Sequence, residues 1–597
     1  MVVLNRLPKK KPRTPCPKRI RNHDMKGIAA VHCSISPRTS MLALPATTRT
    51  LLLASLYPFR SLALHDYAPQ FTLTSYYATM ASADSDAQTR EGGKPMLARH
   101  RQQNDEAADI KSQTAARNSY FPLSYKDGVA QWWAGISPAV TEHRVLSFIP
   151  YLRQPPTQTQ TGGQKNGSSM SVDKSVDKTA DPVKTDSEDP YGPRMWHSDL
   201  VQLSGKNRFL NEFSVERLNE KTENSLVMLH GYGAGLGFYY KNFESLSRLP
   251  HWKLYALDMP GMGRSSRPPF TIKAKDREGK VREAESWFVD ALEEWRVKRG
   301  IEKMTLMGHS LGGYMAVCYA LKYPGRLDKL ILASPVGIPE DPYAVSEAMP
   351  TEAEADSMAK DFANAESESI QAHRQPQQKS AQPPPRRPYS KWLTTLWDAN
   401  ISPFSVVRFA GPLGPRLVSG WTSRRFAHLP AEEAQALHDY SYSLFRQKGS
   451  GEYALAYILA PGAFARSPLI RRIQGVGRQF VEPHSEPSVD NADRPASREE
   501  VMKVREMGIP VVFYYGDHDW MDVKGGREAV ERMGEEKRKA LATATDEEKL
   551  LENGDVKVRV VKNAGHHVYL DGADEFNEMV REEMKDVEVR QRRLGGK

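Results

Sequence analysis

The stretch that decides the fold is MTLMGHSLGGYMAVCYALKY, at residues 304–323. It begins with an apolar run of strand length, passes through GHSLG at 308–312, which fits the pattern G-x-S-x-G, and continues as a helix-forming run. The small residues allow the chain to turn sharply between a strand and a helix, which pushes the serine side chain outward. The stretch therefore predicts a strand–turn–helix unit that presents Ser310 as a nucleophile.

Alternating strand and helix patterns surround this unit. Short apolar or β-branched runs with turn-type neighbours predict strands, and they lie at 225–230, 254–258, 304–308, 329–333, 510–515 and 556–561. Apolar residues recur between them at helical spacing. Alternating units of this kind form a mostly parallel sheet covered by helices on both faces. We therefore predict an α/β fold in which residues 338–505, between two sheet strands, form a helical cap.

Composition divides the rest of the chain into segments. Polar and low-complexity stretches cannot bury enough apolar surface to fold. The predicted organisation is a mitochondrial targeting segment at 1–80, a disordered segment at 81–118, a tryptophan-containing segment at 119–153, a low-complexity linker at 154–190, the first part of the core at 191–337, a cap with disordered insertions at 338–505 and the second part of the core at 506–597.

The positive charge belongs to the N-terminal tail. The chain has 83 Lys and Arg against 73 Asp and Glu, a formal net charge of +10. Residues 1–80 hold twelve of the basic residues and two acidic ones, Asp24 and Asp66, so the remainder is neutral. A neutral body argues against nucleic-acid binding. Two of the three cysteines, Cys16 and Cys33, also lie in the tail, which excludes a disulfide framework and a cysteine-based zinc site.

The tail has the composition of a mitochondrial transit peptide. It is rich in Arg, Ser, Thr and Leu and nearly free of acids, unlike a secretory signal. We therefore expect residues 1–80 to direct the protein to mitochondria. The alternative is a misassigned extension, with translation beginning at Met25, Met41 or Met80.

Three acidic residues follow the strand predicted at 510–515. A nucleophilic serine needs a base, and the base needs an acid that orients it. In proteins with this order of elements the acid follows a late strand. We predict Asp519 as the acid, because it lies a few residues beyond the strand end. Asp517 and Asp522 are alternatives that could instead cap the next helix.

Two histidines follow the last predicted strand, 556–561. Gly565 allows a close turn, and His566 comes directly after it. We predict His566 as the base that takes the proton of Ser310, with His567 as its neighbour. This chemistry uses no cofactor and no metal.

A glycine-rich loop, HGYGAG at 230–235, follows the first predicted strand. An oxyanion hole needs two backbone N–H groups aimed at one point. Leu311, the residue after the nucleophile, supplies one, and we predict that Tyr232 supplies the other. The same loop is a weak match to a phosphate-binding loop, because it lacks the Walker lysine and a full G-x-G-x-x-G pattern.

Residues from about 190 to 590 resemble one group of α/β-hydrolases. The group includes N-acylphosphatidylethanolamine lipases, lysophosphatidic acid acyltransferase-like proteins and fungal mitochondrial cardiolipin-specific deacylases. The resemblance rests on HGYGAG (230–235), DMPGMGRSSRP (258–268), GHSLGGYMAVCYALKYP (308–324), SPVGIP (334–339), LWDANISPFSVVRFAGPLGPRLVSGWTSRRF (396–426), SGEYALAYILAPGAFARSPL (450–469), YGDHDWMD (515–522) and AGHHVYLD (564–571).

The resemblance implies the α/β-hydrolase fold and a serine phospholipase. The segment 515–522 and the basic tail are most similar to the cardiolipin deacylases. That similarity implies removal of a fatty acyl chain from cardiolipin, giving monolysocardiolipin, by a protein bound peripherally at the mitochondrial inner membrane. The group also offers two alternatives, acyl-CoA-dependent acylation of lysophosphatidic acid or another lysophospholipid, and non-catalytic lipase coactivation by members without the nucleophile. The presence of Ser310 favours an enzyme.

Asp571 has two competing interpretations. The group is credited with a His-x4-Asp acyltransferase motif, and His566 with Asp571 fits it. Asp571 also lies just before DEFNEMV, at 574–580, where it is well placed to cap the last helix. We favour the helix cap.

The segment 119–153 is the first candidate for contact with lipid. It carries Trp132 and Trp133 and an apolar run at 145–152, and the resemblance implies a lipid-contacting role. The stretch 404–426 is a second candidate. No apolar run reaches eighteen residues, so we expect peripheral attachment to a membrane. The alternative is that the tryptophans pack against the body of the fold.

The tail predicts the compartment. Residues 1–80 fused to a fluorescent reporter should carry it to mitochondria, because an acid-poor, arginine-rich segment is typical of a transit peptide. Imaging of the fusion beside a mitochondrial marker measures this, with a fusion that begins at residue 81 as the control. A cytosolic reporter would contradict both the compartment and the choice of cardiolipin as substrate.

Overall fold

The computed structural model describes residues 121–158, 179–341, 395, 397–481 and 504–595. All of them lie in one unit of the chain, Leu73–Lys597. The targeting segment predicted at 1–80 and the disordered segment predicted at 81–118 fall outside the described residues. The same holds for most of the polar insertions predicted in the cap.

A sheet of nine strands runs through the molecule. The strands are β1 (Thr179–Lys184), β2 (Arg194–Gln202), β3 (Phe209–Arg217), β4 (Asn224–Leu229), β5 (Trp252–Leu257), β6 (Met304–His309), β7 (Leu327–Ala333), β10 (Pro510–Gly516) and β11 (Asp555–Val561), while β8 (Phe480–Val481) and β9 (Val504–Arg505) form a separate antiparallel pair. The order in the sheet is β1-β2-β3-β5-β4-β6-β7-β10-β11. The pairs from β5 to β11 are parallel, and those from β1 to β5 are antiparallel. The mostly parallel sheet predicted from the sequence is therefore confirmed.

Each parallel strand contributes side chains to two cores, one on either face of the sheet. In β4, Val227 and Leu229 pack into one core, and Leu226 and Met228 pack into the other. This alternation arises because successive side chains of a strand point to opposite faces. Helices cover both faces, so the parallel strands inside the sheet are mostly apolar, whereas the edge strand β11 also carries Asp555, Lys557 and Arg559.

Thirteen α-helices surround the sheet in the described part of the chain. They are α1 (Tyr125–Ala134), α2 (Pro138–Leu146), α3 (Tyr240–Leu246), α4 (Arg277–Lys298), α5 (Leu311–Lys322), α6 (Pro403–Phe409), α7 (Gly414–Arg425), α8 (Ala431–Phe445), α9 (Leu455–Ile458), α10 (Val523–Thr543), α11 (Asp546–Leu551), α12 (Val568–Asp571) and α13 (Ala573–Gly595). Helices α6 to α9 lie between β7 and β10 in the chain and form the helical cap expected there.

The turn between β6 and α5 is as sharp as the sequence predicts. Strand β6 ends at His309 and helix α5 begins at Leu311, so Ser310 alone makes the turn. Its φ is +53°, and a residue with a side chain adopts this left-handed conformation only at a cost in free energy. The flanking glycines are required, because a Cβ at Gly308 would collide with the Gly312 carbonyl. The backbone therefore projects the serine side chain from the carboxyl edge of the sheet.

The tryptophan-containing segment is built into the fold. The apolar run at 145–152 that was expected to add lipid-contacting area is buried instead, with Val145, Leu146, Ile149 and Leu152 in the core against the cap and the sheet. That part of the prediction is wrong, because these side chains fill the space beneath α8. The tryptophans differ from the run, since Trp133 is 81% exposed.

A buried carboxylate fixes α2 to the core. Glu142 is fully buried, and its Oε1 accepts a hydrogen bond from Arg264 Nη1 at 2.6 Å. Its Oε2 accepts from the Asn211 side-chain amide at 3.0 Å. Burial raises the pKa of Glu142 to about 7, although Arg264 opposes the shift. On the cap side, Arg144 of the same helix pairs with Asp439 of α8 at 2.8 Å. The segment therefore joins the core to the cap.

The linker predicted over 154–190 is shorter in the structure. Residues Thr179–Lys184 form β1, which pairs antiparallel with β2, so the sheet begins about a dozen residues before the predicted boundary at 191. Strands β2 and β3 were also not among the predicted strands. A polar sequence can form an edge strand because the neighbouring strand supplies its backbone hydrogen bonds. Composition alone does not reveal that partner.

A helix that crosses a bilayer needs about 20 consecutive, mostly apolar residues. Among the described helices, none is both long and apolar enough to do so.

Candidate active site

Ser310, His566 and Asp519 form a continuous chain of hydrogen bonds. The Ser310 Oγ lies 3.0 Å from His566 Nε2, and His566 Nδ1 lies 3.1 Å from Asp519 Oδ1. An ionised carboxylate only accepts hydrogen bonds, so Nδ1 keeps its proton and donates a hydrogen bond to Asp519. Nε2 is then free to accept the serine proton. The three side chains come from the loops after β6, β10 and β11, which meet at the carboxyl edge of the sheet.

The carboxylate of Asp519 is buried and stays ionised. Burial favours the protonated form, but the neighbouring His566 and the hydrogen bonds from His566 and the Met521 N–H outweigh it and lower the pKa of Asp519. The Met521 N–H donates to Oδ1 at 2.9 Å. An acid held ionised at neutral pH can stabilise the imidazolium that forms when the serine loses its proton.

The two alternative acids have other partners. Asp522 caps α10, where its side chain accepts the Lys524 N–H. Asp517 accepts the backbone N–H groups of Asn563 and Ala564 at 2.9 and 3.0 Å, and so ties the loop after β10 to the loop after β11. Of the three candidates, Asp519 alone is hydrogen-bonded to His566 among the described contacts.

The glycine-rich loop lies against the nucleophile. A Cβ built on Gly231 would be 3.1 Å from Ser310 Cβ, so the loop backbone passes directly beside the serine. Tyr232 follows it, and Leu311 begins α5 on the other side. The Tyr232 ring stacks on Phe404 of the cap with centroids 4.7 Å apart. The structure therefore brings both predicted oxyanion donors next to Ser310, and their role stays a prediction.

Two further histidines surround the base and stay uncharged. His309 Nε2 donates to the His566 carbonyl at 2.9 Å, and His567 Nδ1 accepts from Arg425 Nε at 3.0 Å. Burial is the largest cause that lowers the pKa of both rings well below the ordinary value. Of the three histidines, His566 is the one whose ring nitrogen is hydrogen-bonded to Ser310 Oγ among the described contacts, so it is the base that the geometry supports.

Asp258 organises the loops behind the site, and the sequence analysis assigned it no role. It is fully buried, and its carboxylate accepts the backbone N–H groups of Leu236 and Arg264, each at 2.7 Å. It also accepts the Asn211 side-chain amide at 2.8 Å. An acidic residue directly after a buried strand was the available signal in the sequence.

The helix cap predicted for Asp571 is wrong. The residue ends the short helix α12, and its carboxylate points toward the histidine loop and the cap. Its Oδ2 accepts the Gly565 N–H at 3.1 Å, and its Oδ1 accepts from Arg425 Nη2 at 3.0 Å. A partner 146 residues away takes the carboxylate, which local helix signals cannot reveal.

A metal centre requires several ligand side chains close together. Within the ranges that the structure describes, no group of three or more His, Cys, Asp or Glu side chains could hold a metal ion.

Comparison with known proteins assigns this chain to a family. The α/β-hydrolase fold family matches residues 224–573, so the protein belongs to that family. Within it, the chain belongs to the group of lysophosphatidic acid acyltransferase-like proteins and N-acylphosphatidylethanolamine lipases, as the resemblance implied.

Three relatives illustrate the group. The 1-acylglycerol-3-phosphate O-acyltransferase of Arabidopsis thaliana is 33% identical over 55% of this chain and 63% of its own length. The 1-acylglycerol-3-phosphate O-acyltransferase ABHD5 of Mus musculus is 30% identical, with 65% of this chain and 85% of that protein covered. The (lyso)-N-acylphosphatidylethanolamine lipase of Homo sapiens is 29% identical, with 64% and 84% covered. The match spans less than two thirds of the plant protein.

The choice of acid can be tested with two matched variants. Asp519→Asn should slow labelling of Ser310 by a fluorophosphonate by about four orders of magnitude, because an amide holds His566 in the wrong tautomer. Asp522→Asn should label within about twofold of the wild type, because Asn caps a helix nearly as well as Asp. Labelling rates and melting temperatures measure both. Equal labelling of Asp519→Asn and the wild type would remove Asp519 from the site.

Proposed function

We propose that the protein is a serine phospholipase that removes a fatty acyl chain from a phospholipid. The observation that carries the proposal is the hydrogen-bonded chain from Ser310 through His566 to Asp519, beside the glycine-rich loop. A serine with an imidazole nitrogen at 3.0 Å and an ionised acid behind that imidazole is equipped for attack on a carboxylic ester.

The reaction proceeds in two halves. Ser310 Oγ attacks the acyl carbonyl while His566 Nε2 takes its proton, and the N–H groups of Leu311 and Tyr232 stabilise the oxyanion. The ester bond breaks, His566 returns the proton to the leaving lysophospholipid hydroxyl, and the acyl group stays on the serine. Water then attacks the acyl-serine with His566 as base, which releases the fatty acid and restores Ser310.

Cardiolipin at the mitochondrial inner membrane is the substrate we propose, with monolysocardiolipin as product. The support is the similarity of 515–522 and of the basic tail to cardiolipin deacylases, together with relatives whose names refer to lipid substrates. Head-group choice rests on these similarities, whereas ester cleavage rests on the geometry of the site.

Acyl transfer to a lysophospholipid is the second candidate. Two of the relatives are named acyltransferases, and acyl transfer would use the same acyl-serine with a lysophospholipid in place of water. The Asp571 carboxylate faces Arg425 and Gly565, which favours a structural part in the histidine loop over a separate part in transfer.

Exposed apolar side chains on adjoining helices favour a lipid surface as the partner. Helices α1 and α7 lie together, because Arg416 stacks over the Tyr125 ring at 3.9 Å. On and beside them, Trp133 is 81% exposed and Phe409 is 89% exposed. We call the exposed apolar side chains of α1, α6, α7 and the turn between α6 and α7 the apolar face: Val129, Trp132, Trp133, Val406, Phe409, Leu413 and Leu417. Large exposed aromatic residues bind the headgroup region of bilayers.

The apolar face is close to the catalytic site. Helix α6 carries Phe409 at one end, and near its other end Phe404 stacks on Tyr232, next to the proposed oxyanion donors. A protein docked through this face would therefore have its active-site entrance near the lipid. Such docking is peripheral.

Lipid products separate the candidate functions. The full chain should release fatty acid and monolysocardiolipin from mixed phospholipid vesicles without acyl-CoA, and Ser310→Ala should lower this by about three orders of magnitude or more. Mass spectrometry of the products, with and without acyl-CoA and lysophosphatidic acid, is the measurement. Phosphatidic acid formed only with acyl-CoA would support the acyltransferase. Negligible turnover by both the wild type and Ser310→Ala would favour the remaining alternative, a non-catalytic lipase coactivator.

The apolar face predicts where the membrane binds. The double variant Trp133→Ala, Phe409→Ala should lose most flotation with cardiolipin-containing vesicles, because it removes the two most exposed aromatic rings from the apolar face. The matched control is Leu550→Ala, which removes a side chain that is 78% exposed on α11. Unchanged flotation of the double variant at an unchanged melting temperature would contradict docking through this face.

A further inference from the structure

Arg425 of the cap contacts the loop that carries the base. It is the last residue of α7, and its guanidinium donates from Nε to His567 Nδ1 and from Nη2 to Asp571 Oδ1, each at 3.0 Å. The Arg425 side chain is 19% exposed and that of Asp571 is 9% exposed, so solvent screens this pair little. The planar guanidinium suits two acceptors placed side by side.

Asp571 passes this contact to the backbone next to His566. Its Oδ2 accepts the N–H of Gly565, the residue directly before the base, at 3.1 Å. One carboxylate is thus shared between the cap and the histidine loop. His428, just beyond α7, lies 3.4 Å from the same carboxylate and adds a second group from the cap.

Three hydrogen bonds hold His566 and the residues on either side of it. Asp571 holds the N–H before it, His309 donates to its own carbonyl at 2.9 Å, and Arg425 holds the side chain of the residue after it. Two of the residues that make these hydrogen bonds belong to the sheet and its loops. The third residue, Arg425, belongs to the cap, and its positive charge also faces Asp571.

We propose that Arg425 and Asp571 are positioning residues that align His566 with Ser310 only while the cap is seated on the core. The inference rests on the proposed function, since it assigns His566 as the base. It gives the second residue of the His-x4-Asp pattern a part in the hydrolytic site. Cap movement that withdraws Arg425 would release Asp571 and His567, and with them the loop that sets the 3.0 Å contact between His566 and Ser310.

The test compares Arg425→Gln with Arg424→Gln. Both residues end α7, but Arg424 is exposed, so its variant removes the same charge from the same helix without touching the histidine loop. The double variant Arg425→Gln, Asp571→Asn and the single Asp571→Asn complete a cycle. For each, kcat and KM on a water-soluble short-chain ester, the rate of fluorophosphonate labelling and the melting temperature are measured on the full chain.

A positioning role predicts a specific pattern. Arg425→Gln should lower kcat about 10- to 100-fold with little change in KM, because a small misplacement of the base costs this much. Labelling should slow by the same factor, and Arg424→Gln should stay within about twofold of the wild type. The kcat of the double variant should lie within about threefold of the kcat of the less active single variant. The two losses should not multiply, because both substitutions break the same contact.

Other outcomes overturn the inference. Unchanged kcat in Arg425→Gln, or losses in the double variant that multiply, would show that the two residues do not act through one contact. If Arg425→Gln does not fold, Arg425→Lys decides, since it keeps a charge beside Asp571 but cannot donate to both acceptors. Lowered kcat at the native melting temperature supports the role, and unchanged kcat refutes it. A wild type that neither hydrolyses the ester nor labels would refute the proposed function itself.

Discussion

The turn at Ser310 is the constraint on which the active site depends. A residue with a side chain at φ +53° is strained. The turn also needs Gly308 and Gly312, because a Cβ at either position would collide with neighbouring backbone atoms. This turn fixes the serine oxygen at the carboxyl edge of a parallel sheet. The loops after β10 and β11 reach the same edge, since parallel strands end together there. The acid and the base then need only short loops to meet the serine.

Charge is distributed unevenly around this point. Asp519 is buried and ionised, whereas burial keeps His309 and His567 neutral, so His566 has one ionised carboxylate behind it and no competing imidazolium beside it. The backbone N–H groups of the surrounding loops need acceptors, and the carboxylates of Asp517, Asp258 and Asp571 supply them. These carboxylates give the loops a defined shape.

The cap and the N-terminal segment extend the same scheme outward. Glu142 joins α2 to Arg264 of the core, Arg144 joins it to the cap, and Arg425 joins the cap to the histidine loop. Each contact is a charged pair that is at least partly buried. Removing one partner of such a pair would destabilise the folded protein, because the other charge would stay buried without a partner. The apolar face lies on the outer side of these elements. Helix α6 carries Phe409 of this face and Phe404, which stacks on Tyr232, so the proposed docking of a lipid surface on Phe409 would be linked to the glycine-rich loop.

The sequence by itself determined the strand–turn–helix unit, the parallel sheet and the order in which Ser310, an acid and His566 follow their strands. These features are local, since each depends on a short pattern and its immediate neighbours. Only the tertiary structure decided which of Asp517, Asp519 and Asp522 meets the base. The three residues are of one type, and they differ only in where the folded loop directs their side chains. It also decided that Asp571 pairs with Arg425, 146 residues away, and that the apolar run at 145–152 is buried. Contacts between distant segments leave no periodic or spacing signal in one sequence.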